Sequence, residues 1–368
     1  MCRLTTNAVV LLAALVPGAW GAAADSIPVT ADDPLRTEQS PALLLAPPRE
    51  AGPVMVRAAF EIHDINEIDD VEEKFEFTGV LTLTWNDPRQ AFEPSSVGDE
   101  KVFQGDYQFN ELSTGWYPQV VLVNESGLYQ TSGVVLRVQP DGTSTLIETI
   151  NAAAEVELDM RRFPFDGHRL EAVFDVLGFD QSEILLQVDS ASEGFLLDSA
   201  ARVPQWTITG SGTSVRERSA SYSGRRRISS AFVVSVDVER ASFYITRLVT
   251  FPLAVIVLLS FSVFWMDRSS LGDRISVSFI GILTSVAYQL VVGDVLPRIS
   301  YFTLTHAFLN LSFLTMCATV VINLVVGGLD RRGNYELGDL IDHRCRWIFP
   351  LTYFGLTLVI LGAASVFF

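Results

Sequence analysis

Apolar and polar residues alternate in short runs between residues 53 and 241, and this period of two is typical of half-buried β-strands. One run carries Phe75 and Phe77 at alternate positions, and another carries Val234 and Val236 in the same way. Clusters of Asn, Asp, Gly and Pro separate the runs, as expected for tight turns. The pattern predicts an antiparallel, immunoglobulin-like β-sandwich over residues 53–241.

The pattern changes at Phe243, where four long apolar segments begin. They are predicted to be helices near residues 243–266, 274–296, 301–326 and 346–367. At about 1.5 Å per residue, each of them is long enough to cross a bilayer. Residues 242–368 are therefore predicted to form an all-α transmembrane domain of four helices, in which the short linker 327–344 leaves no room for an intracellular domain.

Arginine is unevenly distributed between the loops of this second domain. The loop after the second segment carries only Arg298. The loops after the first and third segments carry a larger set: Arg268, Arg331, Arg332, Arg344 and Arg346. Because cytoplasmic loops are enriched in Lys and Arg, this bias places the β-domain and the carboxyl terminus outside the cytoplasm.

An export signal is predicted at the start of the chain. Arg3 precedes an apolar run over residues 8–16, and small residues follow before Asp25. The alternative, a further spanning helix, is disfavoured because the apolar run is too short. Residues 1–24 are thus predicted to be a signal peptide, and residues 25–52, rich in Pro and Ala without a period, a flexible lead-in.

The second apolar segment carries a regular stripe of residues. At 100° per residue, steps of four and three positions keep side chains on one side of a helix. Such steps give a stripe made of Ser276, Ile280, Leu283, Ala287, Leu290 and Asp294. Asp273 precedes it, so carboxylates stand at both ends of a mostly apolar stripe. This arrangement is typical of a pore wall, and the alternative interpretation is ordinary packing between helices.

Composition limits the class of function. The formal net charge of −17 disfavours nucleic-acid binding, which needs a basic surface, and an exported acidic surface attracts cations instead. Cys2 lies in the signal, and Cys317 and Cys345 lie in apolar segments, so the exported part is predicted to lack a disulfide. No zinc-binding His-Glu-x-x-His motif, nucleophile elbow or phosphate-binding loop occurs in the sequence. We therefore predict neither an enzyme nor a cofactor or metal site.

Several motifs occur in a fixed order before and within the apolar segments. They are Trp116-Tyr117-Pro118, the run from Arg161 to Asp166, Arg240 twelve residues before Pro252, Val295-Leu296-Pro297-Arg298, and Arg344-Cys345-Arg346 followed by Phe349-Pro350. With these motifs the chain resembles the pentameric ligand-gated ion channels of the Cys-loop receptor superfamily, over roughly residues 53–368. Val156 and Leu170 stand where the two loop cysteines of the family would lie, as in its bacterial branch, which lacks that disulfide.

The resemblance implies a homopentamer in the bacterial inner membrane, with the amino-terminal domain on the periplasmic side. Its implied partners are membrane lipid, monovalent cations and a small-molecule or proton agonist. Five copies of the second segment would line a central pore, where rings of Asp273 and Asp294 at the two mouths favour cations. Gly272-Asp273-Arg274 resembles the Gly-Glu-Lys of cation-selective members, and the resemblance directs Arg274 away from the lumen.

The apolar part of the stripe is the implied gate. A narrow apolar constriction blocks ions by losing its water. The gate is predicted at Ile280, Leu283, Ala287 and Leu290, with Ser276 as the narrow polar point below it. Polar substitutions at Leu283 or Ile280 are therefore expected to make opening easier.

The same resemblance implies a charged cluster where the two domains meet. Its predicted members are Asp70, Phe165, Asp166, Arg240, Pro297, Arg298 and Tyr301. A bidentate arginine shared between carboxylates is directional and partly desolvated, which suits a conformational switch. The alternative for Arg240 and Asp166 is an ordinary surface ion pair, worth about 0–1 kcal/mol.

The agonist stays open at this point. An agonist of the family would bind between subunits beneath the loop near residues 210–227, where aromatic side chains surround a cation. The aromatic candidates are Tyr107, Phe109, Tyr129, Trp206 and Tyr222, each of which is also a candidate for strand packing. The basic residues of the loop, Arg216, Arg218 and Arg225 to Arg227, either recognise a carboxylate or form a solvated tip.

Protons are the other candidate stimulus. Glu73 matches a position associated with acid sensing in a proton-gated member of the family. His168 replaces the usual Gln two residues after Asp166, and histidine is the residue type that changes charge between about pH 5 and 8. His306 lies in the third apolar segment, where an ionisable side chain is a functional candidate. The alternative for each histidine is a structural hydrogen bond.

The leading prediction is a cation-selective channel with a hydrophobic gate, opened by protons or by a small extracellular ligand. One alternative is a non-conducting membrane sensor that uses the exported domain for binding. A second alternative is an anion-selective channel of the same family.

Overall fold

The computed structural model describes residues 46–48, 52–94, 98–113, 115–189, 203–222, 225–267, 271–293 and 301–367. The chain separates into a unit of residues 1–40 and a unit of residues 41–368. The predicted signal peptide and most of the predicted lead-in lie outside the described residues. All elements named below belong to the second unit.

Ten strands in the described residues form two sheets. The first sheet contains β1 Val54–Asp69, β2 Lys74–Asn86, β3 Lys101–Gln104, β5 Glu125–Val138, β6 Thr143–Glu155 and β8 Ile184–Val188. The second contains β4 Val120–Leu122, β7 Gly167–Val176, β9 Trp206–Tyr222 and β10 Arg225–Arg240. The strand orders are β3-β5-β6-β2-β1-β8 and β4-β7-β10-β9. Neighbouring strands run antiparallel, except that β1 and β8 pair in parallel.

The two sheets enclose one hydrophobic core. Along β2 every second residue from Phe75 to Trp85 is buried, and the residues between them are half-buried. The ring of Phe60 on β1 stacks on Phe174 of β7 with the centroids 5.3 Å apart, so aromatic contacts join the two sheets. The alternation of apolar and polar residues along the sequence therefore indicates which side chains face the core. The predicted antiparallel β-sandwich is confirmed.

Four long helices follow the sandwich in the described residues. They are α1 Phe243–Trp265, α2 Leu271–Gly293, α3 Leu304–Arg331 and α4 Tyr335–Phe367. Each is long and apolar enough to cross a membrane. The predicted all-α domain of four helices is confirmed, although the limits of individual helices differ.

Pro252 accounts for an irregular turn in α1. Residues Thr246–Thr250 form a π-helical turn, and the α-helix resumes at Phe251. Proline lacks the N–H that would bond the carbonyl oxygen four residues earlier, which is that of Leu248. The hydroxyl of Tyr288 on α2 donates a hydrogen bond to this carbonyl. The proline thus frees an acceptor that attaches α1 to α2.

The third and fourth helices extend beyond the predicted limits. α3 continues to Arg331 and α4 begins at Tyr335, so most of the predicted linker 327–344 is helical. Charged residues lower the hydropathy here, but they do not end a helix. Asp342 and Cys345 are buried three positions apart on α4. The packed face of this helix therefore continues past its apolar segment.

Candidate functional site

The stripe of α2 lies on an exposed face of the subunit. Its described members are all exposed, together with the aspartate that precedes them: Asp273, Ser276, Ile280, Leu283, Ala287 and Leu290. Ile280, Leu283 and Leu290 are 62%, 70% and 73% exposed. Asp294 lies outside the described residues. A continuous row of uncovered apolar side chains marks a surface that another subunit, a lumen or lipid covers.

The opposite face of α2 is polar and buried. Arg274, Ser278 and Ser285 are all almost fully buried. The Ser278 hydroxyl donates to the carbonyl oxygen of Arg274 (3.0 Å) and accepts from the side-chain amide of Asn323 on α3 (2.9 Å). Polar side chains commonly bond across helix contacts in membranes. Because α2 packs inside its own subunit through this face, intrasubunit packing does not explain the apolar stripe.

A buried ion pair holds the Asp273 end of α2. Arg274 Nη1 and Nη2 donate to Asp342 Oδ2 and Oδ1 on α4, and both distances are 2.8 Å. The two side chains are 1% and 3% exposed. A bidentate arginine–carboxylate pair has a well-defined geometry. Arg274 is therefore held away from the face that exposes Asp273, and α4 supplies its carboxylate.

A second buried cluster lies around Arg240, at the end of β10, where the sandwich meets the helices. Its guanidinium donates to both carboxylate oxygens of Asp70 (2.9 and 3.0 Å) and to both oxygens of Asp166 (3.0 and 3.1 Å). The Arg240 side chain is 2% exposed. The alternative of an ordinary surface ion pair therefore does not describe this contact.

Two aromatic rings complete the Arg240 cluster. The guanidinium carbon of Arg240 lies 4.1 Å from the ring centroid of Trp206 and 4.9 Å from that of Phe163. Trp206 pairs with Arg240 across β9 and β10, which places the two side chains together. Aromatic faces attract cations most strongly where water is excluded. The cluster is thus built from carboxylates on one side and aromatic rings on another.

Asp166 connects the cluster to His168. His168 Nε2 lies 2.7 Å from Asp166 Oδ2, and both side chains are buried. Burial by itself raises the pKa of Asp166, but the hydrogen bonds from His168 and Arg240 outweigh this effect, and the pKa lies below its ordinary value. The ionised form of Asp166 is therefore favoured by its partners. A response of this cluster between about pH 5 and 8 requires a histidine.

The segment before α3 attaches the helices to the same region of the sandwich. The Tyr301 hydroxyl donates to the carbonyl oxygen of Leu158 (3.0 Å) and accepts from the backbone N–H of Met160 (2.9 Å). The Thr305 hydroxyl on α3 donates to the carbonyl oxygen of Phe163 (3.0 Å). Three hydrogen bonds thus fix the start of α3 to the loop that leads to Asp166.

The other predicted members of the domain-boundary cluster are placed differently. Phe165 is half exposed and does not join the carboxylates and rings around Arg240. It lines a cavity with Thr250 of α1 and Thr305 of α3, between the sandwich and the helices. Pro297 and Arg298 lie outside the described residues.

Comparison with known proteins identifies the family. Residues 43–242, more than half of the chain, match the model of the neurotransmitter-gated ion-channel ligand binding domain. The chain belongs to this family. It is a pentameric ligand-gated ion channel of the Cys-loop receptor superfamily, and not an enzyme.

Three relatives show the extent of the similarity. A proton-gated ion channel of Gloeobacter violaceus is 24% identical over 314 residues, which cover 85% of this chain and 84% of the relative. The gamma-aminobutyric acid receptor subunit rho-2 of Bos taurus is 25% identical over 279 residues, 74% of this chain and 58% of the relative. Subunit rho-1 of Mus musculus is 24% identical over 306 residues, 81% of this chain and 62% of the relative. The chain spans about three-fifths of the length of these receptor subunits.

The predicted ligand residues of the channel do not form an aromatic cage among the described side chains of one subunit. Trp206 is buried at the domain boundary, which contradicts its assignment to the ligand site. Phe109 is buried, with its ring centroid 4.5 Å from that of Tyr117. Tyr129 is partly buried, and this burial together with the negative charge of Glu148 raises its pKa to about 12.

The length of β9 explains why Trp206 and Tyr222 cannot share a site. The strand has 17 residues and begins with Trp206 and ends with Tyr222. At about 3.3 Å per residue, its ends lie roughly 50 Å apart. Tyr222 therefore stays a candidate at the far end of the domain, and its side chain, like that of Tyr107, lies outside the part of the chain that is described.

The described arginines of β9 and β10 on the side of the loop that joins these strands are matched by carboxylates of the same subunit. Arg216 bonds Glu171 at 2.9 Å, Arg218 bonds Asp175 at 3.3 Å, and Arg227 bonds Glu183 at 3.2 Å. The side chains of Arg225 and Arg226 lie outside the description. The pairing argues against a carboxylate-binding role for the described arginines.

The other two pH-sensing candidates, Glu73 and His306, lie in a turn and at the start of a helix. Glu73 is exposed in the turn between β1 and β2, in the left-handed backbone region with φ of 50°. His306 lies in the first turn of α3, where its Nδ1 is 2.7 Å from the hydroxyl of Thr303, the residue that caps this helix. Of the three candidates, His168 is the one that contacts the cluster around Arg240.

Proposed function

We propose that this channel is cation-selective and that five α2 helices line its pore. The observation that carries the proposal is the separation of two consecutive charges at the base of α2. Asp273 lies on the exposed face, whereas Arg274 is buried and paired with Asp342. Around a fivefold axis the exposed charge becomes a ring of carboxylates, which attracts cations.

The stripe above Asp273 supplies the proposed gate. Ile280, Leu283 and Leu290 are large, apolar and exposed in the single subunit. In a narrow pore such side chains exclude water, and ions cannot pass a dewetted stretch. Ala287 belongs to the same stretch, and Ser276 is the proposed polar constriction below it.

Ion substitution tests the selectivity. With sodium chloride diluted on one side of the membrane, the reversal potential is expected to follow sodium, and in Asp273→Asn it should move toward chloride because the ring loses its charge. Glu336→Gln removes an exposed carboxylate from the first turn of α4 and serves as the matched control, with no change expected. A wild-type reversal potential that follows chloride would establish the anion-selective alternative.

The same recordings separate a channel from a non-conducting sensor. A variant with a weakened gate, Leu283→Ser, is expected to conduct without knowledge of the agonist. If neither this variant nor the wild type carries current from acid to alkaline pH, although both reach the membrane as pentamers, the sensor is the better description.

We propose protons as the stimulus, acting through His168. His168 bonds Asp166, which shares Arg240 with Asp70. The pKa of nearby Asp159 is lowered, chiefly by its hydrogen bond from Arg161 and to a smaller extent by His168. A protonated His168 competes with Arg240 for the Asp166 carboxylate and so loosens the cluster that joins β10 to the β1–β2 turn. The relative from Gloeobacter violaceus, named a proton-gated ion channel, supports this stimulus.

His168→Gln is expected to remove most of the pH dependence. Glutamine still donates a hydrogen bond to Asp166 but does not titrate, so the ratio of the currents at about pH 5 and about pH 8 should fall toward one. His306→Gln is the control and should retain the wild-type ratio. An unchanged ratio in His168→Gln would contradict the proposal, and a wild type that ignores pH would point to a small extracellular ligand.

A further inference from the structure

We propose that Asp342 on α4 is a positioning residue for ion selectivity, because it holds Arg274 out of the pore mouth and leaves Asp273 as the net charge there. The inference rests on the proposed function, in which α2 lines a cation pore. It gives the fourth helix a part in selectivity, although Asp342 itself is buried and its partner Arg274 faces away from the exposed stripe.

The base of α2 is held by contacts that converge from two neighbouring helices. Asp342 of α4 bonds both terminal nitrogens of Arg274 at 2.8 Å, and Asn323 of α3 donates to Ser278 one turn above at 2.9 Å. α4 is in turn fixed to the end of α1, because Arg346 Nε donates to a backbone carbonyl oxygen there at 2.9 Å. The Arg274 side chain thus lies in a pocket that its neighbours define.

The charge at the mouth depends on this pocket. Asp273 and Arg274 are adjacent in sequence and project about 100° apart around the helix axis. With the pair intact, each subunit presents one negative charge to the mouth. With Asp342 neutralised, a buried guanidinium lacks its counter-charge, which is a costly state. The long arginine side chain then relaxes toward water beside Asp273, and the net charge per subunit at the mouth falls to zero.

The test compares Asp342→Asn, Arg274→Gln and the double variant in the intact channel. Asp342→Asn is expected to raise the chloride-to-sodium permeability ratio by about tenfold, and the double variant should return it to the wild-type value, because the freed cation is gone. Asp342→Glu retains the charge and should behave as the wild type does. Arg346→Gln breaks a contact of the same helix without unpairing Arg274, and is the matched control with no change expected.

A second readout does not depend on current. The detergent-solubilised pentamer is heated, and size-exclusion chromatography then measures how much of it remains intact. Each single variant should be less stable than the wild type, and the loss of stability in the double variant should be smaller than the sum of the two single losses. An unchanged permeability ratio in Asp342→Asn with intact pentamers, or additive losses in melting, would overturn the inference. A wild-type channel that prefers chloride would instead overturn the proposed function, while the melting cycle would still report on the ion pair.

Discussion

Arg240→Gln is expected to produce pentamers that insert into the membrane but do not open. The arginine satisfies Asp70 and Asp166 together, and its removal leaves two carboxylates at a largely buried site without a cation. Breaking a buried pair by removing one partner costs about 3–5 kcal/mol. Because these carboxylates belong to the β1–β2 turn and to the loop held by Tyr301, movement of the sandwich should no longer reach the helices. Currents and thermal melting of the purified pentamer measure the two effects.

Arg169→Gln is the matched control for this prediction. Arg169 also bonds an aspartate, Asp237, at 2.7 Å, but its side chain is 61% exposed. An exposed pair of this kind contributes little to stability because water and salt screen it, so melting and gating should stay close to those of the wild type. Arg240→Lys keeps the charge but loses the bidentate contacts, and should lie between the two. Normal currents in Arg240→Gln would show that the cluster is structural only.

Leu283→Ser is expected to give a channel that leaks at rest. Five serines place hydroxyl groups in the apolar part of the proposed pore and favour its hydrated form. If each contributes ~0.5 kcal/mol, a modest part of the transfer energy of a leucine side chain, the opening equilibrium shifts by ~2.5 kcal/mol, or roughly sixtyfold. The resting current without stimulus measures this shift. Ile280→Thr should act in the same direction with a smaller effect.

Leu358→Ser is the control for the gate. Leu358 is 69% exposed, close to the 70% of Leu283, but it lies on α4 and so outside the helix proposed to line the pore. The same loss of apolar surface should there leave the resting current unchanged. Equal leaks in the two serine variants would mean that the stripe does not define the gate.

Much of the fold could be predicted from the sequence because the signals are local. A buried strand such as β2 places every second residue in the core, and this period is visible without any partner strand. The membrane-spanning helices can be recognised in the sequence by their length and their apolar composition. The exposed stripe of α2 also follows from spacing within one helix. What spacing could not show is whether this stripe or the opposite face packs inside the subunit.

The contacts that define the site could not be predicted in the same way, since they join distant parts of the chain. Arg240 and Asp70 are 170 positions apart, and Arg274 and Asp342 are 68 apart. The drop in hydropathy before Arg346 predicts a linker at Asp342, whereas the structure places this residue in α4. A helical period continued backward from Phe349 through Cys345 would have placed it on the packed face. The prediction for Trp206 is wrong because a sequence does not show which end of a long strand lies near a ligand site, and Trp206 lies at the end beside Arg240.

The buried polar face of α2 affects how the channel can assemble in the membrane. Before assembly, a subunit presents Ile280, Leu283 and Leu290 outward, and these side chains are compatible with lipid tails. Arg274 and Ser278 already find partners within the same chain. A newly inserted subunit can therefore rest in the bilayer without exposing charge to its interior. The water-filled pore forms only when the subunits assemble, so the membrane contains no open pore while single subunits are being inserted.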